Sequence, residues 1–316
     1  MNKKTPPHTT ETVTPTREPM RIAKAIARAG ICSRREAETY IAAGRITVNG
    51  KKISSPALNV TAKDKIKVDG KALPDQEPVK LWRYHKPKGL VTTAKDEKDR
   101  ETIFSKLPKD LPRTITIGRL DINTEGLLLL TNDGELARHL ELPKTGWLRR
   151  YKVRAKGSIT QDKFDALKEG ITIEGIKYGP IQASLIKEQG SNCWFTMGLR
   201  EGKNREIKRI CEHLGLNVNR LIRLSFGPFM LGDLKAGEVE EVHSHILADQ
   251  LGPELAEKFH IKPSTNQAKS KKDASKTTPS KKRGGKKPAG NKNSLEKGKT
   301  PPRKPKRRIK TKSSGK

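Results

Sequence analysis

The sequence predicts an α+β protein: a small module of two helices and a β-hairpin, followed by a larger domain with a mixed, mainly antiparallel sheet. Two observations predict this class. Helical spacing and a hairpin signal fall within the first 70 residues, and strand and helix patterns interleave over 79–251 without repeating βαβ units. In addition, the C-terminal segment is rich in Lys and Arg and has almost no large apolar residues, so we expect it to be disordered.

Changes in composition predict the domain boundaries. We expect a flexible leader at 1–18, the N-terminal module at 19–70, a linker at 71–78, the larger domain at 79–255 and the basic tail at 262–316. The larger domain has about 170 residues, which is enough to bury one sizeable hydrophobic core.

The chain is strongly basic, with 67 Lys and Arg against 35 Asp and Glu and a formal charge of +32. Residues 262–316 hold 21 of these cations against two acids, and the rest of the chain holds 46 against 33. Such an excess favours a polyanionic partner, either nucleic acid or an anionic membrane surface. Because both parts are basic, we expect the folded part to bind the polyanion and the tail to act as a tethered electrostatic arm.

Nothing in the sequence predicts export, membrane insertion or a bound cofactor. The longest aliphatic run, Leu127–Leu130, is far shorter than the roughly 20 residues of a membrane helix, and residues 1–19 are polar. Three widely spaced cysteines form no metal-ligand pattern and suit a reducing compartment. The usual nucleotide, dinucleotide, zinc-protease and serine-hydrolase motifs are absent. We therefore expect a cytoplasmic protein without a metal or cofactor.

The N-terminal module begins with apolar residues at helical spacing, and Gly30 follows where a helix end favours a left-handed residue. Ser33 and Glu36 have the spacing of a capping box, which predicts the start of a second helix. The Asn49-Gly50 turn between two short apolar runs then predicts a β-hairpin. A further alternating strand completes the module.

Residues 20–52 of this module carry eight cations against two acids, which favours phosphate contact over an ordinary solvated surface. They are Arg21, Lys24, Arg28, Arg34, Arg35, Arg45, Lys51 and Lys52. The segments G-x-C-S-R-R-E-A-E and G-R-I-T-V-N-G-K closely resemble the S-four-type RNA-binding domain. That resemblance covers roughly residues 20–67 and implies binding to structured RNA.

The most informative stretch of the larger domain surrounds Asp121. Thr114–Ile117 is predicted to be a strand, and Leu127–Leu130 is predicted to be a second, fully buried strand that a turn at 132–134 ends. Asp121 then lies in a polar loop mounted between two buried strands. Such a carboxylate either caps a turn or pairs with Arg119, or it lines a cleft as a catalytic group.

A resemblance favours the catalytic interpretation. The stretch G-R-L-D-x-x-T-E-G-L-L-L-L-T-N-D-G resembles the catalytic motif of the pseudouridine synthases of the RsuA/RluB type. Further segments resemble that family in the same order, namely His85–Gly89, Arg150–Val153, Leu199–Arg209 and Arg220–Arg223. The resemblance runs from about residue 20 to about residue 242, and it implies an isomerase that converts uridine to pseudouridine in ribosomal RNA.

The family resemblance also implies roles for individual residues. Asp121 corresponds to the nucleophile and Tyr151 to the tyrosine that stacks on the target base. Lys208 corresponds to the basic group that pairs with Asp121, with Arg209 as the alternative register. Arg119 is expected to hold the RNA open after the uridine has flipped out of its stack.

A wider set of cations is expected to contact the RNA backbone. Besides Arg119, it comprises Arg28, Arg34, Arg35, Lys86, Lys203, Arg205, Arg209 and Arg223. Their ordinary alternative is a solvated basic surface.

One carboxylate suffices for the implied reaction, which breaks the N1–C1′ bond of uridine, turns the base and rejoins it through C5. Glycoside hydrolysis would instead require a second carboxylate. Glu125 lies close to Asp121 in the sequence and could be read that way. We predict instead that Glu125 is a structural partner.

The implied substrate is a structured hairpin of large-subunit ribosomal RNA, 23S, because the leading module and the long basic tail look most like the RluB-type branch. The alternatives are a paralogue that acts on the small subunit or elsewhere on the large subunit, and a non-catalytic ribosome-binding or assembly factor. We expect a monomer with no membrane partner.

Overall fold

The computed structural model describes residues 19–262. The flexible leader expected at 1–18 and the basic tail expected at 262–316 therefore lie outside the described residues, apart from Lys262. Both predicted domains fall within the described part.

The N-terminal module contains two helices and a set of short strands. Its elements are β1 (Met20–Arg21), α1 (Ile22–Arg28), α2 (Arg34–Ala42), β2 (Ile46–Val48), β3 (Lys51–Lys52), β4 (Asn59–Val60), β5 (Ile66–Val68) and β6 (Lys71–Ala72). Strands β3, β2, β5 and β6 form an antiparallel sheet in that order, and β1 pairs with β4. Because β6 pairs with β5, the first residues of the predicted linker belong to this sheet.

Local chemistry explains where the second helix begins. The Ser33 hydroxyl accepts a hydrogen bond from the Glu36 amide at 3.1 Å, and the Glu36 carboxylate accepts one from the Ser33 amide at 2.7 Å. This is the capping box that the sequence predicts. Ile22 and Ile26 of α1 pack against Ile41 of α2 in the core of the module, so burial of these side chains holds the helices on the strands.

The larger domain is built on one nine-stranded sheet. Its strands and α-helices are β7 (Leu81–Lys86), β8 (Ile115–Ile117), β9 (Thr124–Thr131), α3 (Gly134–Glu141), β10 (Arg149–Lys156), α4 (Gln161–Asp165), β11 (Ile171–Ile173), β12 (Ile176–Tyr178), β13 (Gln182–Gln189), β14 (Asn192–Leu199), α5 (Glu206–His213), β15 (Asn217–Phe226), β16 (Phe229–Met230), β17 (Val239–Glu241), α6 (Ser244–Leu251) and α7 (Pro253–Lys258). Short 3₁₀ helices lie at Ile103–Ser105, Pro143–Thr145 and Ala166–Glu169.

The strand order of the main sheet is β13-β14-β10-β15-β9-β7-β17, with β8 also paired to β9 and β16 also paired to β15. Among the described strands, β9 and β15 make the one parallel pairing, and the other ladders are antiparallel. The predicted α+β class with a mixed, mainly antiparallel sheet is confirmed.

Strand β9 is buried on both faces of this sheet, which explains its run of four leucines. Leu128 and Leu130 contribute to one hydrophobic core, and Leu127 and Leu129 contribute to a second core. Successive side chains of a strand point to opposite faces, so the two cores lie on opposite sides of the sheet. The strand that follows the Asp121 loop is therefore rigidly held.

Helix α3 was not predicted. The sequence predicts a turn at residues 132–134 that ends the strand. In the structure Asp133 is instead the N-cap of a helix. Its Oδ1 accepts hydrogen bonds from the Glu135 and Leu136 amides at 2.8 and 2.9 Å. The signal was present, because Leu136 and Leu140 have the spacing of one buried helix face.

The larger domain also continues beyond its predicted end at residue 255. Phe259 and Ile261 are buried and pack in the same core as Leu247 and Leu251 of α6. The packed chain therefore reaches the last described residues.

Two ion pairs join the N-terminal module to the larger domain. Arg28 Nη2 of α1 lies 3.0 Å from Oδ2 of Asp133, and Lys24 pairs with Glu135. Arg28 was expected to contact RNA, but its guanidinium is mostly buried against a carboxylate of α3. That expectation is corrected: in this structure Arg28 attaches one domain to the other.

Candidate active site

A buried lysine anchors the loop of residues 118–123 between β8 and β9, called here the Asp121 loop. Lys86 is 0% exposed, and its Nζ donates to the carbonyl oxygens of Pro87, Ile122 and Thr124 at 3.1, 3.2 and 3.0 Å. Burial lowers the pKa of Lys86 to about 8, although the charges of Asp121 and Glu125 oppose that shift. The expected contact between Lys86 and RNA is therefore wrong, since the side chain has no access to the surface.

A threonine outside the motif provides a second anchor. Thr92 Oγ1 donates to the carbonyl oxygen of Leu120 at 2.8 Å and accepts from the Leu120 amide at 3.3 Å. Together with Lys86, it fixes the backbone on both sides of Asp121. No sequence pattern marks Thr92, because its role depends on a contact across 28 positions of the chain.

Asp121 is paired with Lys208 from the first turn of α5. Lys208 Nζ donates to Asp121 Oδ2 at 3.0 Å, with the lysine 15% and the aspartate 38% exposed. In the described part of the chain, the Asp121 carboxylate makes neither the Arg119 pair nor the Arg209 pair that the sequence left open. This charge-assisted hydrogen bond orients the carboxylate.

Asp121, Lys208 and Tyr151 line one cleft of about 760 Å³. Tyr151 lies on β10, in the middle of the sheet between β14 and β15, and is 9% exposed. Its ring is therefore mounted on a rigid element, with one part accessible from the cleft. The structure thus brings together three side chains that are distant in the sequence.

Most of the charged residues that line the cleft are cationic. The cations are Arg100, Arg119, Arg138, Arg149, Lys203, Arg205, Lys208 and Arg223, and the acids are Asp121, Glu141, Glu201 and Glu206. Of these cations, the sequence predicts Arg119, Lys203, Arg205, Lys208 and Arg223, and it does not mark Arg100 or Arg138. A concave surface with this excess of cations can attract a phosphate backbone.

The remaining predicted cations lie elsewhere. Arg34 and Arg35 are exposed on α2 of the N-terminal module, and Arg209 follows Lys208 on α5 without lining the cleft. Lys203, at the cleft, pairs with Glu201 and donates to the carbonyl oxygen of Lys177 at 2.6 Å.

Two arginines of the cleft are buried against one aromatic ring. Arg149 and Arg223 place their guanidinium carbons 4.7 and 5.3 Å from the centroid of Phe226. Arg149 Nη1 donates to the carbonyl oxygens of Arg200 and Glu201 at 2.8 and 3.1 Å, and burial lowers its pKa. Both guanidinium groups are thus fixed before any ligand binds.

Glu125 lies outside the cleft lining and forms a two-point hydrogen-bonded ion pair with Arg220, at 3.0 and 2.8 Å. The predicted structural role of Glu125 agrees with this geometry. The cleft therefore does not contain Asp121 and Glu125 as the pair of carboxylates that a glycosidase would require.

Within residues 19–262, no group of three or more His, Cys, Asp and Glu side chains has the arrangement of a metal site. Among these same residues, none of the helices combines the length and the apolar character that would let it cross a membrane.

The cleft, which brings Asp121, its lysine partner and a sheet-mounted tyrosine together among an excess of cations, suits an RNA-modifying enzyme. The family model described as RNA pseudouridylate synthase matches residues 80–213, and the S4 domain model matches residues 20–71. An RNA pseudouridine synthase of Rickettsia conorii is 48% identical over 231 residues, covering 72% of this chain and 98% of the relative. This chain belongs to the RNA pseudouridine synthase family.

Two further relatives are informative. The ribosomal large subunit pseudouridine synthase B of Pseudomonas aeruginosa is 40% identical over 245 residues, covering 73% of this chain and 62% of the relative. A crystal structure of a pseudouridylate synthase aligns with a TM-score of 0.49 and 27% identity, covering 71% of this chain and 96% of that chain. The family assignment rests on the sequence relatives.

Proposed function

We propose that this enzyme converts a uridine of 23S ribosomal RNA to pseudouridine, with Asp121 as the nucleophile. The observation that carries the proposal is the pair of Asp121 and Lys208 at 3.0 Å, held in a basic cleft beside Tyr151. The carboxylate is partly exposed and its loop backbone is held by Lys86 and Thr92, so it can meet a substrate without rearranging.

The proposed reaction begins when the target uridine leaves its stack and enters the cleft. Extruding a base costs a few kcal/mol, least in a loop or bulge, so a hairpin loop is the favoured substrate. Stacking of the base on Tyr151 stabilises the extruded state by about 1–3 kcal/mol. The exposed cations Arg119 and Arg205 lie where they can hold the displaced strand.

Asp121 then forms a bond to the uridine as the N1–C1′ bond breaks. The detached base turns within the cleft, C5 bonds to C1′ while the bond to the Asp121 carboxylate breaks, and C5 loses its proton. Lys208 holds the carboxylate in position throughout. The base is both the leaving and the incoming group, so no second carboxylate is required.

The choice of large-subunit RNA rests on relatives. Proteins of Pseudomonas aeruginosa and Yersinia pestis that are each 40% identical to this chain carry the name ribosomal large subunit pseudouridine synthase B. The N-terminal module, with Arg34 and Arg35 exposed, supplies a surface for structured RNA.

The three described cysteines are free and buried, which suits the reducing cytoplasm. We also propose that the enzyme is a monomer, because Asp121, Tyr151 and Lys208 of the cleft all belong to one chain.

Release of tritium from RNA labelled at C5 of its uridines tests the proposal, because forming pseudouridine removes the C5 hydrogen. Wild type, Asp121→Asn and Glu125→Gln would be incubated with unmodified 23S and 16S transcripts, and RNA affinity would be measured in parallel. We expect wild type and Glu125→Gln to release label from 23S, while Asp121→Asn binds RNA and releases none.

The other outcomes separate the alternatives. Release from 16S but not from 23S would assign the enzyme to the small subunit. Tight binding to ribosomal RNA without release by any variant would favour a non-catalytic assembly factor. Equal release by Asp121→Asn and wild type would remove Asp121 as the nucleophile.

A further inference from the structure

Arg223 is a buried cation with a donor atom that has no partner among residues 19–262. Its side chain is 3% exposed, and its Nε donates to the carbonyl oxygen of Leu127 at 2.6 Å. The Nη2 atom is buried and has no hydrogen-bond partner among the described residues. A buried polar atom without a partner is unfavourable, and more so when the group is charged. Arg223 also lines the cleft that contains Asp121.

No carboxylate among the described residues forms an ion pair with Arg223. The nearby buried cation, Arg149, packs on the same Phe226 ring and adds like charge. Burying a charge without a partner of opposite sign is unfavourable. The arrangement therefore suits a ligand atom that carries negative charge and enters the cleft.

The position of Arg223 favours the base over the phosphates as that ligand. Arg223 on β15 is the register partner of Tyr151 on β10, and directly opposed side chains of neighbouring strands lie on the same face of the sheet. A base stacked on Tyr151 thus presents its edge to Arg223. The cations Arg119 and Arg205 are exposed, whereas Arg223 is buried, so the phosphates of the strand meet the exposed pair first.

We propose that Nη2 of Arg223 donates a hydrogen bond to a carbonyl oxygen of the flipped uracil and stabilises the negative charge that the base carries during its transfer. This inference rests on the proposed function, because it requires a uridine held at Tyr151. It assigns Arg223 as a further catalytic residue, in contact with the reacting base.

The chemistry balances without another reactant. When the N1–C1′ bond breaks, its electron pair stays on the uracil, and the negative charge spreads to the ring carbonyl oxygens. The base turns, and C5 forms the new bond to C1′ while the bond to the Asp121 carboxylate breaks. The C5 proton leaves to water, and N1 takes up a proton. Arg223 remains protonated throughout and provides a fixed donor where charge develops.

The principal variant is Arg223→Gln, whose amide can still donate to the Leu127 carbonyl oxygen but carries no charge. Arg223→Lys retains the charge but cannot present two donors in the geometry of a guanidinium. The matched control is Arg83→Gln. Arg83 also donates to a backbone carbonyl oxygen, that of Met230 at 2.8 Å, and lies outside the cleft lining.

Each full-length variant would be assayed for tritium release under single-turnover conditions at saturating enzyme, for RNA affinity and for thermal unfolding. The RNA is the set of 23S and 16S transcripts labelled at C5 of uridine. We expect Arg223→Gln to release label about 10²-fold more slowly or worse, a typical loss for one such donor, with RNA affinity within about threefold. Arg223→Lys should fall between it and wild type, and Arg83→Gln should equal wild type.

A saturating rate for Arg223→Gln equal to that of wild type overturns the inference, whether or not RNA affinity falls. Reduced affinity with an unchanged rate would assign Arg223 to a phosphate. If Arg223→Gln unfolds, Arg223→Lys decides: a rate equal to wild type overturns the inference, and a rate at least tenfold lower supports it. If Asp121→Asn is inactive and Arg223→Gln is fully active, the proposed function stands and the inference about Arg223 is overturned. If wild type is inactive on both RNAs, the proposed function and the inference about Arg223 are both overturned.

Discussion

Lys208 lies 87 positions after Asp121 in the chain, yet its Nζ donates a hydrogen bond to the Asp121 carboxylate at 3.0 Å. The two residues reach each other because α5 packs through Ile207 and Ile210 onto the same face of the sheet that carries Tyr151. The pair is partly screened from solvent, with the lysine more buried than the aspartate. The first prediction follows from this pair.

Replacing Lys208 by Met should slow single-turnover tritium release by about 10²-fold, as expected for loss of a group that holds the catalytic charge in place. Lys208→Arg should retain much of the activity, because it keeps the charge next to Asp121. Arg209→Met tests the other register and should slow release by less than about tenfold. Equal losses in Lys208→Met and Arg209→Met would contradict the pairing seen here.

Lys86 gives a prediction about pH. Its pKa of about 8 in the folded protein lies below the ordinary 10.5, so between these values the unfolded chain binds more protons than the folded one. Stability then rises with pH across this window. The free energy of unfolding of wild type, relative to Lys86→Met, should therefore increase from pH 8 to pH 10.5, by on the order of 1–3 kcal/mol. Urea denaturation at several pH values measures this.

The control for the pH prediction is an exposed lysine, Lys109→Met, for which the difference from wild type should not change across the same window. A flat or falling difference for Lys86→Met would indicate that Lys86 is solvated in solution.

Asp133 has two roles that can be separated by substitution. It caps α3 and also pairs with Arg28 of the N-terminal module. Asp133→Asn should keep most of the cap but lose the ion pair, whereas Asp133→Ala should lose both and be about 1 kcal/mol less stable than Asp133→Asn. Thermal unfolding of the two variants measures the difference.

The ion pair itself is tested by a double-mutant cycle of Arg28→Met and Asp133→Asn. Because the pair is mostly buried, we expect a coupling free energy of about 1–3 kcal/mol. Additive effects of the two substitutions would mean that the module is not held to α3 through this contact.

Gly126 should not tolerate a side chain. It has a φ of +100°, and a Cβ atom built there would lie 2.3 Å from the carbonyl oxygen of Arg223 on the parallel strand β15. Gly126→Ala should therefore lower the free energy of unfolding by more than about 3 kcal/mol, through backbone strain and the clash.

Gly118 is the matched control for that substitution. It also has a positive φ, +71°, but no atom lies within 4 Å of a Cβ built on it. Gly118→Ala should cost only about 1–2 kcal/mol for the unfavourable backbone conformation. If Gly126→Ala and Gly118→Ala lose a similar free energy of unfolding in urea denaturation, then β15 and β9 are farther apart than in this structure.

Much of this protein could be predicted from local patterns. The helix of the N-terminal module that Ser33 caps, the buried strand of four leucines and the loop that carries Asp121 each depend on neighbouring residues, and each is found where it was expected. Helix α3 was missed although its amphipathic pattern was present, because the residues before it also favour a turn.

The sequence by itself determined the fold class, the position of the Asp121 motif and the basic character of the chain, since these follow from periodicity, turn chemistry and charge. Only the tertiary structure decided which cations are accessible. Lys86 is buried beneath the Asp121 loop, Arg28 is paired with Asp133, and Arg223 keeps an unused donor inside the cleft. These outcomes depend on contacts between segments far apart in the chain, where burial and partners, rather than residue type, decide what a charged side chain does.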